Sequence, residues 1–185
     1  MTTAAVLVLI VVLIAANGAF VALEFAAVGA RRSVVEQEVA RGRRTARAAQ
    51  RIQGDLLLSL TGAQLGITMC SLALGRVAEP VIAKLIEDSL GRFVEISEPL
   101  LHTIGFATAL ALVVLVHMVV GEMVPKNVTL ADPERTLFIL SRPMVLYGWL
   151  AGPVIWVLNA ISNAVLRIIR IEPQSTLEDL SLIHI

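Results

Sequence analysis

The sequence predicts an all-α membrane protein: three transmembrane helices, an amphipathic juxtamembrane helix and a re-entrant helical hairpin on the cytoplasmic side. Three observations predict it. The composition is 57% apolar and only 16% charged, with a mean hydropathy of +0.82, where soluble domains run near 45–50% apolar and roughly 25% charged. Four windows lack any charged residue: Thr2 to Leu23, Leu56 to Gly75, Leu100 to Gly121 and Pro143 to Leu166, of 22, 20, 22 and 24 residues. Charge between the windows alternates in sign.

Each window is long enough to cross a bilayer, which needs about 20 apolar residues. The spans are expected at about 3–29, 56–76 and 100–123. The first window has no basic residues at its amino end and exceeds the length of a signal-peptide core, so it reads as a retained anchor rather than a cleaved leader.

Loop charge sets the orientation. Arg31 to Arg51 holds seven arginines against Glu36 and Glu38, whereas Val77 to Pro99 holds five acids against Lys84 and Arg92. Lys126, Arg135 and Arg142 follow the third window. The N-terminus is therefore expected outside, the arginine-rich loop inside, the acidic loop outside and the C-terminus cytoplasmic, in a multi-pass protein of the plasma membrane. Twelve of the fifteen basic residues then lie on the cytoplasmic side, seven in the first loop and five after the third span.

The fourth window is basic at both ends and carries Gly148, Gly152 and Pro153 in its middle. A plain crossing would place Arg167 and Arg170 outside. A hairpin over about 133–170 would keep both ends inside, and the charge bias favours it over a fourth crossing.

The segment 31–53 reads as the juxtamembrane helix. Val35, Val39, Gly42, Ala46 and Ala49 recur at helical spacing, with Arg43, Arg44, Arg47 and Arg51 left to meet anionic head groups. No aromatic residues interleave these arginines, and the net charge is zero, so nucleic acid is not an expected partner. One cysteine, Cys70, excludes a disulfide framework and a cysteine-based zinc site. There is no G-x-S-x-G, Walker loop or G-x-G-x-x-G, so neither an enzyme nor an organic cofactor is expected. His102 and His117 read as packing or interfacial residues.

Polar residues within the spans carry the functional signal. On the second span Thr61, Gln64, Thr68 and Ser71, spaced 3, 4, 3, form one stripe, and Gly62, Gly66 and Gly75 allow close helix approach. Such a stripe serves interhelical hydrogen bonding or offers oxygens to a hard cation; spacing alone leaves both open. On the first span Asn17 and Glu24 stand two turns apart, with Glu24 able either to reach the interface or to face a site. The third span ends in GEMVPK, residues 121–126. Pro125 has no N–H, so the Gly121 carbonyl is freed beside the Glu122 carboxylate at a negative helix end, an arrangement that holds cations at broken transporter helices. A plain proline stop with Glu122 paired to Lys126 is the competing account.

Four runs carry a resemblance: NGAFVALEFAAVGARR (17–32), LTGAQLGITMCSLALGRVAEP (60–80), HMVVGEMVPKNVTLADPER (117–135) and RPMVLYGWLAGPVIWVLNAISN (142–163). Together they resemble the transmembrane domain of the CNNM/CorC family, also called hemolysin-type or HlyC/CorC magnesium and cobalt efflux proteins, over the chain to about Pro173. The resemblance implies a homodimer of three crossings per subunit that exports Mg²⁺, with Co²⁺ a second cargo and Na⁺ entry the coupled flow. It implies that Glu122 is the acidic ligand, Gly121 the carbonyl donor and Ser71 the second-span donor. Where many members carry a first-span serine, this chain has Val21 and Leu23, which leaves Asn17 and Glu24 as first-span candidates. Thr68 and Gln64 complete the expected site, and Pro125, Lys126 and Gly66 its structural support. A cytoplasmic pair of CBS domains and a small C-terminal domain are implied beyond residues 174–185, which read as the start of a linker. Two other classes compete: a membrane-embedded Mg²⁺ sensor or scaffold that moves no ion, and, more weakly, a pore-forming toxin.

Overall fold

The computed structural model describes residues 3–92 and 97–169, and every described element is helical. The helices are α1 (Thr3–Gly29), α2 (Arg32–Ala40), α3 (Arg44–Gly54), α4 (Leu56–Leu90), α5 (Glu98–Val116), a π-helical segment (His117–Met123), α6 (Val124–Ala131) and α7 (Pro133–Ile168). Four stretches are long and apolar enough to cross a membrane: Ala4–Gly29, Leu56–Leu90, Glu98–Ala131 and Pro133–Ile168. Burial follows the pattern of a protein surrounded by lipid. Large apolar side chains stand on the outside, with Leu72, Trp149, Leu150 and Trp156 among the most exposed, whereas water-soluble monomers keep apolar patches small.

Several boundaries differ from expectation. The second span does not stop near residue 76; α4 continues to Leu90 through Arg76, Glu79 and Pro80. At 35 residues it is about 52 Å long, well beyond the hydrocarbon core, so its charged end is free to sit in water. The third span does not end at GEMVPK either. The backbone widens into the π segment, in which the Val124 N–H reaches the Val119 carbonyl five residues back, and runs on as α6. A π turn absorbs the bond that Pro125 cannot make. The expected juxtamembrane helix is two helices, α2 and α3, because Gly42 adopts φ +81°, a left-handed conformation that glycine reaches without a Cβ clash. The hairpin expected over 133–170 is one continuous helix, α7, with Pro143 and Pro153 both inside it. Each proline removes a single ladder bond without turning the chain, and the helix runs on through both. Expectations for residues 170–185 lie outside the described residues.

The chain divides into two units. The first comprises Met1–Ala19 and Ile67–Lys126. Its core joins Leu74 and Ala78 of α4 to Val113 of α5, with Ile10, Leu13 and Ile14 of α1 packed against them. Towards its acidic end, Glu87 Oε1 lies 2.7 Å from His102 Nδ1, and a Cβ on Gly105 would stand 2.7 Å from Glu87 Cγ. Glycine at 105 therefore lets α5 approach α4 closely enough for this pair.

The second unit comprises Phe20–Gly66 and Asn127–Ile185. Here Leu23, Ala26 and Ala27 of α1, Val35 of α2, Ala46, Ala49 and Ile52 of α3, and Leu137, Phe138 and Met144 of α7 form one core. Partly buried polar bonds fix it. Gln53 Nε2 donates to the Ala30 carbonyl at 2.8 Å, satisfying the open end of α1, and Ser141 Oγ donates to the Thr45 carbonyl at 3.1 Å. Asp132 caps α7 by accepting from the Arg135 N–H, and Arg31 Nε binds Glu134 Oε1 at 2.8 Å. The Arg43 guanidinium lies 4.5 Å from the centre of the Phe138 ring. Of the residues expected at the membrane surface, Arg43, Arg44, Arg47 and Arg51 are all exposed.

Glu38 holds the α2–α3 turn by accepting from Arg41 and Arg43. The hydrogen bond from Arg41, then that from Arg43, lowers the Glu38 pKa below the ordinary 4.5. A lowered carboxylate pKa contributes stability that is present above the ordinary value and is lost as pH falls through the folded one. Acidification below about pH 4.5 should therefore release this turn. Hydrogen exchange of residues 38–43, corrected for intrinsic rate, should rise there in the native chain and show no such acid limb in Glu38→Gln.

Candidate functional site

The first unit contains a polar cluster at the π segment. Asn17 of α1 is fully buried, and its Nδ2 donates to the Gly121 carbonyl at 2.9 Å. That is the carbonyl which Pro125, four residues on, cannot serve in an α-helical register. The other face of the same amide, Oδ1, has Ser71 Oγ at 3.4 Å. Asn17 thus ties the broken part of the third span to the stripe on α4.

Ser71 stands at a crossing of three groups. Its hydroxyl donates to the Ile67 carbonyl at 2.8 Å and has His117 Nε2 at 3.2 Å as well as Asn17. The opposite ring nitrogen, His117 Nδ1, is 3.6 Å from Glu122 Oε1. One imidazole therefore spans from Ser71 to Glu122. A hydroxyl has one proton to give. When Ser71 spends it on Ile67, Nε2–H donates to Ser71, and a neutral ring turns a bare Nδ1 towards the carboxylate. When Ser71 donates to Nε2 instead, Nδ1–H faces Glu122. In the first arrangement two electron-rich groups face each other, and Asn17 Oδ1 lacks a strong donor. Positive charge at this place relieves both.

Glycine at the centre allows close packing. A Cβ on Gly121 would meet His117 Cδ2 at 3.1 Å and Asn17 Nδ2 at 3.3 Å. Gly18, next to Asn17, lies against Pro125, whose Cγ would be 2.9 Å from a Cβ there. Pro125 thus has a second role: its ring packs on α1 and holds Asn17 opposite Gly121. Glu122 is partly open, with 45% of its side chain exposed, against 16% for His117.

Of the residues expected to form a site, Asn17, Ser71, Gly121 and Glu122 come together. Thr68 lies on α4 in the same unit and is exposed, and Lys126 is exposed on α6. Glu122 faces His117. Glu24 and Gln64 belong to the second unit and pair with each other, Gln64 Nε2 donating to Glu24 Oε1 at 3.1 Å. Thr61, at the head of the stripe, bonds Asn159 Oδ1 of α7 at 3.2 Å. In this unit the stripe does the interhelical bonding that was its alternative reading. Gly66 supports it: a Cβ there would fall 2.6 Å from the Phe20 ring, which packs edge-on to Tyr147 at 4.8 Å.

His117 is the residue that spacing missed. It stands five positions before Glu122, about 140° away around an α-helix. The π segment, with its i to i+5 pairing, brings the two together. The only signal was the proline eight residues beyond His117 in an otherwise uninterrupted apolar run. Among the described residues no three His, Cys, Asp or Glu side chains cluster as a metal site. The donors here are a hydroxyl, an amide, a backbone carbonyl and one carboxylate, a hard-oxygen set rather than a zinc set.

Four helices long and apolar enough to cross a membrane, with large apolar side chains on their outer faces, mark a membrane protein. More particularly, the cyclin M transmembrane N-terminal domain (CNNM) model matches residues 8–182, and the chain belongs to the CNNM family. It is 44% identical over 170 residues to the uncharacterized protein Rv1841c of Mycobacterium tuberculosis, covering 92% of this chain and 48% of that one. It is 36% identical over 172 residues to the UPF0053 protein YhdT of Bacillus subtilis, covering 91% and 36%. With the UPF0053 protein sll0260 of Synechocystis the identity is 30% over 159 residues, covering 86% and 35%. The chain spans about half the length, or less, of these relatives.

Proposed function

We propose that this chain is the membrane part of a divalent-cation transporter that exports Mg²⁺, with Co²⁺ a second cargo and Na⁺ entry the coupled flow. Membership of the CNNM family supports the class, and the observation that carries the site is Asn17: a fully buried amide held between the Gly121 carbonyl and Ser71. Asn17, Ser71, Gly121 and Glu122 are the ligands in this reading, with His117 positioning Ser71 and Glu122. Mg²⁺ gives up water reluctantly and demands near-octahedral oxygens, so the protein must replace hydration oxygens in one state and return them in another.

The internal bonds suit that cycle. The donors bond one another, so a cation must displace the Asn17 amide from the Gly121 carbonyl. That exchange keeps affinity moderate and the site able to release its load.

The subunit works as a homodimer, with the N-terminus outside, the C-terminus cytoplasmic, and crossings by α1, α4 and the α5–α6 stretch. The helix α7 carries Arg135 and Arg142 near one end and Arg167 at the other; it lies along the arginine-rich face, both ends cytoplasmic, without turning back. The membrane lipids are its partners there.

Cells loaded with Mg²⁺ and expressing Glu122→Ala or Ser71→Ala should export it at least about tenfold more slowly than cells with the native chain, since one lost ligand is worth about 1.4 kcal/mol or more. Efflux unchanged in both variants, at equal expression, would contradict the site.

A further inference from the structure

The second unit has a groove with no part in the cation reading. It holds about 400 Å³, at the low end of the range for small-ligand sites. Ile52 of α3, Leu58 of α4 and Met144, Ile155 and Trp156 of α7 give it apolar walls. Two glycines open it: Gly148 and Gly152, one turn apart on α7, line it, and a Cβ on either would meet nothing within 4 Å. The opposite side is closed, for a Cβ on Gly62 would stand 3.0 Å from Ile155 Cδ1.

One cation lines this apolar space. Arg51, in the last turn of α3, is exposed and has no acidic partner among the described residues. Ser59, also in the lining, already gives its proton to the Ile52 carbonyl at 3.1 Å, so it adds no donor. The groove therefore presents an apolar slot and a guanidinium with no acidic partner among the described residues, beside α4 and α7, which expose Leu57, Trp149 and Leu150. We infer that it binds one anionic phospholipid, an acyl chain lying along Gly148 and Gly152 and the phosphate on Arg51. Charge complementarity selects the headgroup, and the surrounding bilayer supplies the chain. This site fastens α3 to α7 and stands or falls apart from cation transport.

The test is thermal unfolding of the purified, delipidated full-length protein in a neutral detergent, with phosphatidylglycerol or phosphatidylcholine of identical chains added. Phosphatidylglycerol should raise the Tm of the native protein by several degrees more than phosphatidylcholine. Arg51→Gln should abolish that difference, while Arg76→Gln, on α4 outside the groove, should keep it. A Gly148→Leu/Gly152→Leu double variant, which fills open space and should fold normally, should lose the response to both lipids. Soluble glycerol phosphate should do nothing. The inference is overturned if the two lipids act alike on the native protein, if Arg51→Gln keeps the full preference, or if soluble glycerol phosphate reproduces the shift. It is also overturned if the filled variant still responds, or if filling the groove changes the number of subunits, which would make it a contact between copies.

Discussion

Asn17→Ala should abolish most cation flux and also lower stability. The side chain is fully buried and satisfies the Gly121 carbonyl at 2.9 Å. Removing it leaves a buried acceptor without a donor, at a cost of about 1–3 kcal/mol, and takes an oxygen from beside Ser71. Flux should fall roughly tenfold to a hundredfold by that magnitude, and the Tm should drop. Asn17→Leu, which fills the volume without the amide, should recover part of the Tm and none of the flux. That split separates packing from chemistry. Equal recovery of both by leucine would show Asn17 to be a packing residue.

The second large effect is steric. Gly66→Val should destabilise the second unit by about 1–3 kcal/mol or more, the usual penalty for overpacking. Even a Cβ would lie 2.6–2.7 Å from three carbons of the Phe20 ring, and Phe20 is pinned in turn by Tyr147. Phe20→Ala in the same chain should relieve part of that cost, so the double variant should unfold above the sum of the two singles. Strict additivity would mean that the ring is not the obstacle. Circular dichroism melts in detergent give the comparison.

The spans were legible because lipid leaves a mark on the sequence that needs no partner to read: 20 or more residues without charge. The junctions were not. Nothing in local spacing distinguishes a break at Gly42 from a helix that runs through it, since Val35, Val39, Ala46 and Ala49 keep helical spacing on both sides. Pro125 announced a freed carbonyl correctly, but whether the chain stops or widens depends on what packs nearby, and here Gly18 receives the proline ring. Gly148, Gly152 and Pro153, between basic flanks, suggested a turn, but a proline costs one bond and a long apolar helix can absorb it.

The site was read in part for the same reason. Asn17, Ser71, Gly121 and Glu122 were visible as polar or freed groups in apolar surroundings. Glu24 and Gln64 looked equivalent to them but satisfy each other at 3.1 Å, a pairing between residues forty apart that no periodicity encodes. His117 was hidden because its relation to Glu122 exists only in the π register.

The most direct test of the central claim is Mg²⁺ flux into proteoliposomes holding only the purified full-length protein, native or Asn17→Ala, with and without an opposing Na⁺ gradient. Sodium-dependent Mg²⁺ movement by the native protein, lost in Asn17→Ala while bilayer insertion is unchanged, is the predicted result. Mg²⁺ that binds without crossing, or flux that survives Asn17→Ala undiminished, would contradict it.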